Sequence, residues 1–94
     1  MTATISEISQ LNAKVKSCHQ DLDDVMQHLQ HLEHVHEMSS GEFSRSFASA
    51  ELPHETDFVE WFAYLEMSRQ LLSRIRELEH ELGDVLEQKL PAPA

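Results

Sequence analysis

Residues 8–32 read ISQLNAKVKSCHQDLDDVMQHLQHL. Apolar residues recur in this stretch at alternating intervals of three and four positions. Such spacing, sustained over about four heptads, is typical of the seam of a coiled coil. The stretch therefore predicts a long helix that buries one apolar stripe against another helix. The predicted seam residues are Ile8, Leu11, Val15, Cys18, Leu22, Val25, Leu29 and Leu32.

The first helix is expected to extend over residues 5–37. Met26 and Val35 flank the seam and make the apolar stripe wider than a simple pair of helices needs. Gly41 is the expected stop signal after the last seam residues, because glycine readily adopts the backbone conformation that ends helices.

A second long helix is predicted over residues 57–89. Asp57 and Glu60 have the spacing of a capping box at its start, and Pro91 begins a tail, residues 90–94, that we expect to fray. Its apolar residues follow a period nearer 3.6 than 3.5. They are Phe58, Trp61, Phe62, Leu65, Leu71, Leu72, Ile75, Leu78, Leu82, Val85 and Leu86.

The connecting segment, residues 39–56, carries signals for a short helix at about 40–48. Ser39 and Glu42 have capping-box spacing, and Phe43 and Phe47 lie four positions apart, on one helix face. The Leu52-Pro53 pair ends this regular stretch.

Two helices of similar length joined by about 18 residues predict an all-α antiparallel hairpin. Residues 1–94 would form one domain, since the chain is too short for two. Both apolar stripes are too wide to be covered within one hairpin. We therefore expect a homodimer that packs as a four-helix bundle, with a bound protein of another kind as the alternative. The orientation of the two hairpins is left open.

The chain is acidic, with seventeen Asp and Glu against seven Lys and Arg and a net charge of −10. Each half of the sequence is acidic, so no basic face for nucleic acid is expected. The N-terminal residues contain neither a basic cluster nor an apolar run, and no apolar run is long enough to span a membrane. With Cys18 as the single cysteine, these features predict a cytoplasmic protein that attracts basic partners.

Seven histidines raise the question of a metal site, because four of them lie between His28 and His36. Three-residue steps turn a helix by about 60°, so His28 and His34 point about 120° apart and cannot share one ion. We predict no metal, no cofactor and no catalysis, since Cys18 has no activating neighbour. His36 falls on the seam, and a role for this cluster in pH sensing stays open.

The large apolar side chains near the connector are the candidate partner-binding residues. An acidic surround at this end would steer a basic partner towards them. The alternative is that they form the core of the hairpin. These candidates are Phe43, Phe47, Leu52, Phe58, Trp61 and Tyr64.

Four segments resemble small acidic antitoxins of bacterial toxin–antitoxin pairs: MSSGEF at 38–43, EL at 51–52, DFVEW at 57–61 and LEM at 65–67. Ala50 stands where that family has glycine. The resemblance implies an acidic helical chain that wraps a basic toxin and blocks its site. No separate DNA-binding segment accompanies it in this sequence.

Together these features predict a non-enzymatic protein-binding module, in the first instance an antitoxin-like inhibitor of a basic protein. The alternative is a structural or chaperone-type helical adaptor, such as a partner of secretion-system subunits. Neither reading includes direct binding to nucleic acid or to a membrane.

Overall fold

The structure, a computed structural model, describes residues 2–49 and 55–89. These residues form three helices and no strand: α1 (Thr2–His36), α2 (Ser40–Ala48) and α3 (Thr56–Lys89). The predicted all-α class is confirmed, and so is the short helix in the connector. Leu52 and Pro53 lie outside the described residues. Within those residues no helix is both long and apolar enough to cross a membrane.

Helices α1 and α3 pack side by side as a hairpin with outer dimensions of 59 × 20 × 18 Å. Their antiparallel direction follows from their neighbours, because Leu11 near the start of α1 lies beside Val85 near the end of α3. At the other end His28 stacks on Tyr64. We call the end that carries α2 the closed end, and the end where α1 begins and α3 stops the open end.

The seam predicted for α1 faces α3 along the hairpin. All eight seam residues are buried or half-buried, with Leu11, Val25, Leu29 and Leu32 in the core. The flanking Met26 and Val35 stay exposed. The buried side chains that α3 contributes are Phe58, Trp61, Ser68, Ile75 and Leu78.

The end of α1 differs from the prediction. The helix stops at His36, and Glu37 adopts a left-handed conformation with φ of 52°. The Met38 N–H donates to the Glu33 carbonyl (3.2 Å) and the Glu37 N–H to the His34 carbonyl (3.4 Å). This is a Schellman motif, which satisfies carbonyls left free at a helix end. The expectation that Gly41 stops the helix was therefore wrong, because the turn closes at Glu37 and Gly41 lies inside α2.

The start of α2 agrees with the capping signal in the sequence. The backbone N–H of Glu42 donates to Ser39 Oγ (3.1 Å), so Ser39 is the N-cap. The N–H of Ser40 donates to the Glu33 carboxylate (2.7 Å), which fixes α2 to the end of α1.

The start of α3 departs from its signal by about two positions. The helix begins at Thr56, and the Glu55 carbonyl accepts from the Val59 N–H (3.0 Å). Asp57 is therefore inside the first turn and not at the cap. Its carboxylate instead lies 3.1 Å from His36 Nε2, across the hairpin.

Candidate partner-binding groove

The aromatic side chains of the connector and of α3 build the core of the closed end. The rings of Phe43 and Trp61 stack with centroids 4.2 Å apart, and both side chains are fully buried. Trp61 Nε1 donates to Ser40 Oγ (2.9 Å), which satisfies its polar group. Phe58 is buried beside them, 5.9 Å from Phe43.

The six candidate partner-binding residues thus fall into three groups. Phe43, Phe58 and Trp61 are core residues, as the alternative expected. Phe43 and Trp61 present no surface to a partner, and Phe58 presents little. Phe47 and Tyr64 are half-buried at the edge of that core. Leu52 lies outside the described residues.

A groove of about 490 Å³ runs between α1 and α3 on one side of the hairpin. Its floor and walls combine apolar, aromatic and charged side chains. The lining residues are Asp21, Asp24, Val25, His28, Tyr64, Met67, Gln70, Leu71 and Arg74.

The groove is apolar at its base and acidic along the α1 wall. Met67 is 45% exposed although it is a large apolar residue, and Leu71 beside it is half-buried. Asp21 and Asp24 stand on α1, three positions apart and exposed. Arg74 on the α3 wall lies within 3.5 Å of Glu77, which offsets its charge. The surface thus offers apolar contact together with carboxylates.

A stacked ring pair joins the groove to a smaller depression of about 200 Å³ nearer the closed end. The rings of His28 and Tyr64 lie 4.6 Å apart and 3° from parallel, and both line the two concave surfaces. The second depression adds Asp57 and Glu60 on α3 and the exposed Val35 on α1. Acidic side chains therefore flank an apolar path over both surfaces.

Charge is segregated along the hairpin more strongly than along the sequence. Because Leu71 and Arg74 lie across from Asp21 and Asp24, the closed half comprises about residues 17–49 and 55–77 of the described chain. It holds eleven acidic residues and four Lys or Arg, a net charge of −7. The other described residues hold five acidic and three basic side chains, a net charge of −2, so most of the negative charge lies in the closed half.

The histidine cluster of α1 is spread over several directions. His28 and His31 line the depression, and His36 lies against the rings of Phe58 and Trp61 at 5.0 and 5.7 Å. Within residues 2–49 and 55–89, no three His, Cys, Asp or Glu side chains are grouped closely enough to hold a metal ion. The prediction of no metal stays a prediction.

The groove was not predicted from the sequence, although parts of its signal were present. Asp21, Asp24 and His28 follow three- and four-residue spacing, which places them on one side of α1. Met67 breaks the apolar period of α3, and this irregularity marks a residue beside the seam. The pattern of one helix cannot show that these residues of α1 and those around Met67 on α3 line the same groove.

Comparisons of this chain with protein-family models, with curated proteins and with solved structures found no match.

Proposed function

We propose that this chain is a non-enzymatic binding protein whose groove takes a basic amphipathic segment of another protein. One observation carries the proposal: a groove with an apolar floor and the Asp21–Asp24 wall lies in the half of the hairpin that holds most of the net negative charge. Neither feature alone would favour a basic partner so specifically.

The two parts of the groove would act at different stages of binding. The negative closed half attracts a cationic partner over a distance and orients it, which raises the association rate at low ionic strength. The exposed Met67 and half-buried Leu71 then gain free energy when an apolar side chain covers them. Methionine adapts its shape to such contacts more easily than branched residues do.

The biological role that fits this binding is inhibition of a basic protein in the bacterial cytoplasm. The resemblance of residues 38–78 to small acidic antitoxins supports it, because those proteins block basic toxins by covering their sites. Mimicry of a nucleic acid's negative charge by the closed half is the physical route to such a block.

We further propose that two hairpins form a homodimeric four-helix bundle. Met26 and Leu72 are exposed apolar residues away from the groove, and a second hairpin would cover them. Both grooves would remain accessible in that assembly.

Photocrosslinking from the groove tests the proposal. A benzoylphenylalanine at Met67 should capture a basic protein, and the same label at Leu72 should not capture that protein. The two positions suit a matched comparison, because they are 45% and 42% exposed on the same helix.

The captured protein should then lose its activity when the purified chain is added. Binding without inhibition would favour the adaptor reading over the antitoxin-like one. Capture of acidic proteins only, or equal capture of the same protein from both positions, would contradict the groove as the binding site.

A further inference from the structure

The side of the hairpin opposite the groove carries a second apolar surface. Leu72 follows Met67 by five positions, and at 100° per residue the two side chains point about 140° apart. On α1, Met26 follows Asp21 by five positions, so these two side chains also point about 140° apart. We call this opposite surface the dimer face. It consists of Val15, Leu22, Met26, Leu65 and Leu72, which are exposed or half-buried.

Helix α2 lies over the closed-end part of the dimer face. Ser40 is bonded to Glu33, which follows Met26 by seven positions on the same side of α1. The ring of Phe47 on α2 stacks on the ring of Phe62 on α3, with centroids 5.4 Å apart. Phe62 precedes Leu65 by three positions. The uncovered part of the face is therefore the middle and the open half.

The distribution of charge distinguishes the two ways in which a second hairpin could approach this face. A parallel pair would superpose two closed halves, each with a net charge of −7 over its described residues. An antiparallel pair would place each closed half beside the partner's open half, whose net charge is −2. The antiparallel pair therefore has the weaker repulsion between like charges.

We infer that a second copy of this chain packs antiparallel on the dimer face, with the two α2 helices at opposite ends of the bundle. This inference rests on the proposed dimer and names its surface and orientation. One side of the hairpin measures 59 × 20 Å, or about 1,200 Å². Two-thirds of it would contribute the roughly 800 Å² per copy that a stable interface needs.

Matched substitutions on the two sides of α3 test the surface. Light scattering at micromolar concentration should give about twice the 10.8 kDa chain mass. Leu72→Glu should give a single chain mass while circular dichroism stays helical, and Met67→Glu should leave the dimer unchanged. A monomeric natural chain, or a dimer lost only with Met67→Glu, would overturn the inference. The proposed partner binding is assessed separately, because Met67→Glu and not Leu72→Glu should weaken it.

Spin labels decide the orientation. Glu42→Cys marks the closed end and Ser73→Cys marks the middle of α3, each in a Cys18→Ser background. Double electron–electron resonance should give more than about 40 Å between two Glu42→Cys labels, because antiparallel hairpins place them near opposite ends of a bundle about as long as the 59 Å hairpin. Labels at Ser73→Cys should be less than about 30 Å apart, near two to three helix diameters. A separation below about 30 Å at both positions would establish a parallel dimer and overturn the inference.

Discussion

Phe43 and Trp61 face each other with their ring planes 2° from parallel and their centroids 4.2 Å apart. They belong to different helices and are separated by the segment that joins those helices. Because Ser40 also accepts the hydrogen bond of Trp61 Nε1, the start of α2 is fixed to α3 by packing and by a polar contact. Helix α2 is therefore an integral part of the hairpin core.

Phe43→Ala should destabilise the whole hairpin and not merely loosen the connector. Both ring faces of a fully buried phenylalanine lose their packing, at a cost of about 3–5 kcal/mol. Chemical denaturation followed by circular dichroism and by the fluorescence of Trp61 measures the loss. Phe62→Ala, at a position 44% exposed, should cost less than half as much. Equal losses from the two variants would contradict the assigned core.

Leu29→Asp should largely unfold the protein. Leu29 lies within the seam, 4% exposed, so an aspartate there would be an unpaired buried charge that costs at least about 3 kcal/mol. Gln30→Asp on the exposed neighbouring position is the control and should melt like the natural chain. Leu22→Asp should fall between them, because Leu22 is half-buried. Retention of the natural melting temperature in Leu29→Asp would mean that the seam is misassigned.

Glu37→Gly should stabilise the protein. Glu37 holds a φ of 52°, a conformation that costs an L-residue with a Cβ about 1 kcal/mol and costs glycine little. The same change at Glu79, within α3, should destabilise by about 1 kcal/mol, since glycine is a poor residue inside a helix. Denaturant midpoints compare the two, and a loss of stability at both positions would argue against the Schellman turn.

The sequence predicted the hairpin because its strongest signals are local. The seam from Ile8 to Leu32 repeats often enough to identify the buried face of α1, and Ser39 with Glu42 identifies the start of α2. The prediction that Gly41 ends α1 was wrong because it used residue type alone. The helix is ended by the hydrogen bonds that Glu37 and Met38 make with its last turn. The sequence does not reveal the left-handed conformation at residue 37, because that residue is a glutamate and not the glycine or asparagine usual at such a position.

The groove and the charge segregation could be recognised only once the fold was known. Asp24 and Leu71 are far apart in sequence and share one surface only after α1 and α3 pair in a particular register. The same pairing converts a chain that is acidic in both halves into a hairpin with one strongly acidic and one weakly acidic end. Similarly, the burial of Trp61 depends on Phe43 from the connector, so the aromatic content alone could not separate core from surface.

A titration with a helical peptide of leucines and lysines, followed by the methyl resonances of methionine, tests the central claim most directly. Met67 lines the groove, whereas Met26 lies on the dimer face and Met38 packs against the core. At low ionic strength we expect the Met67 methyl signal to shift first and furthest. Asp21→Asn with Asp24→Asn should weaken binding about threefold to tenfold, because each exposed charge pair contributes about 0.2–1 kcal/mol.

Glu81→Gln with Asp84→Asn is the matched control, since it removes two carboxylates from the depression near the open end. That variant should bind the peptide within about twofold of the natural chain. If both double variants lose affinity equally, or if Met26 shifts in place of Met67, the peptide recognises overall charge or another face, and the groove is not the binding site.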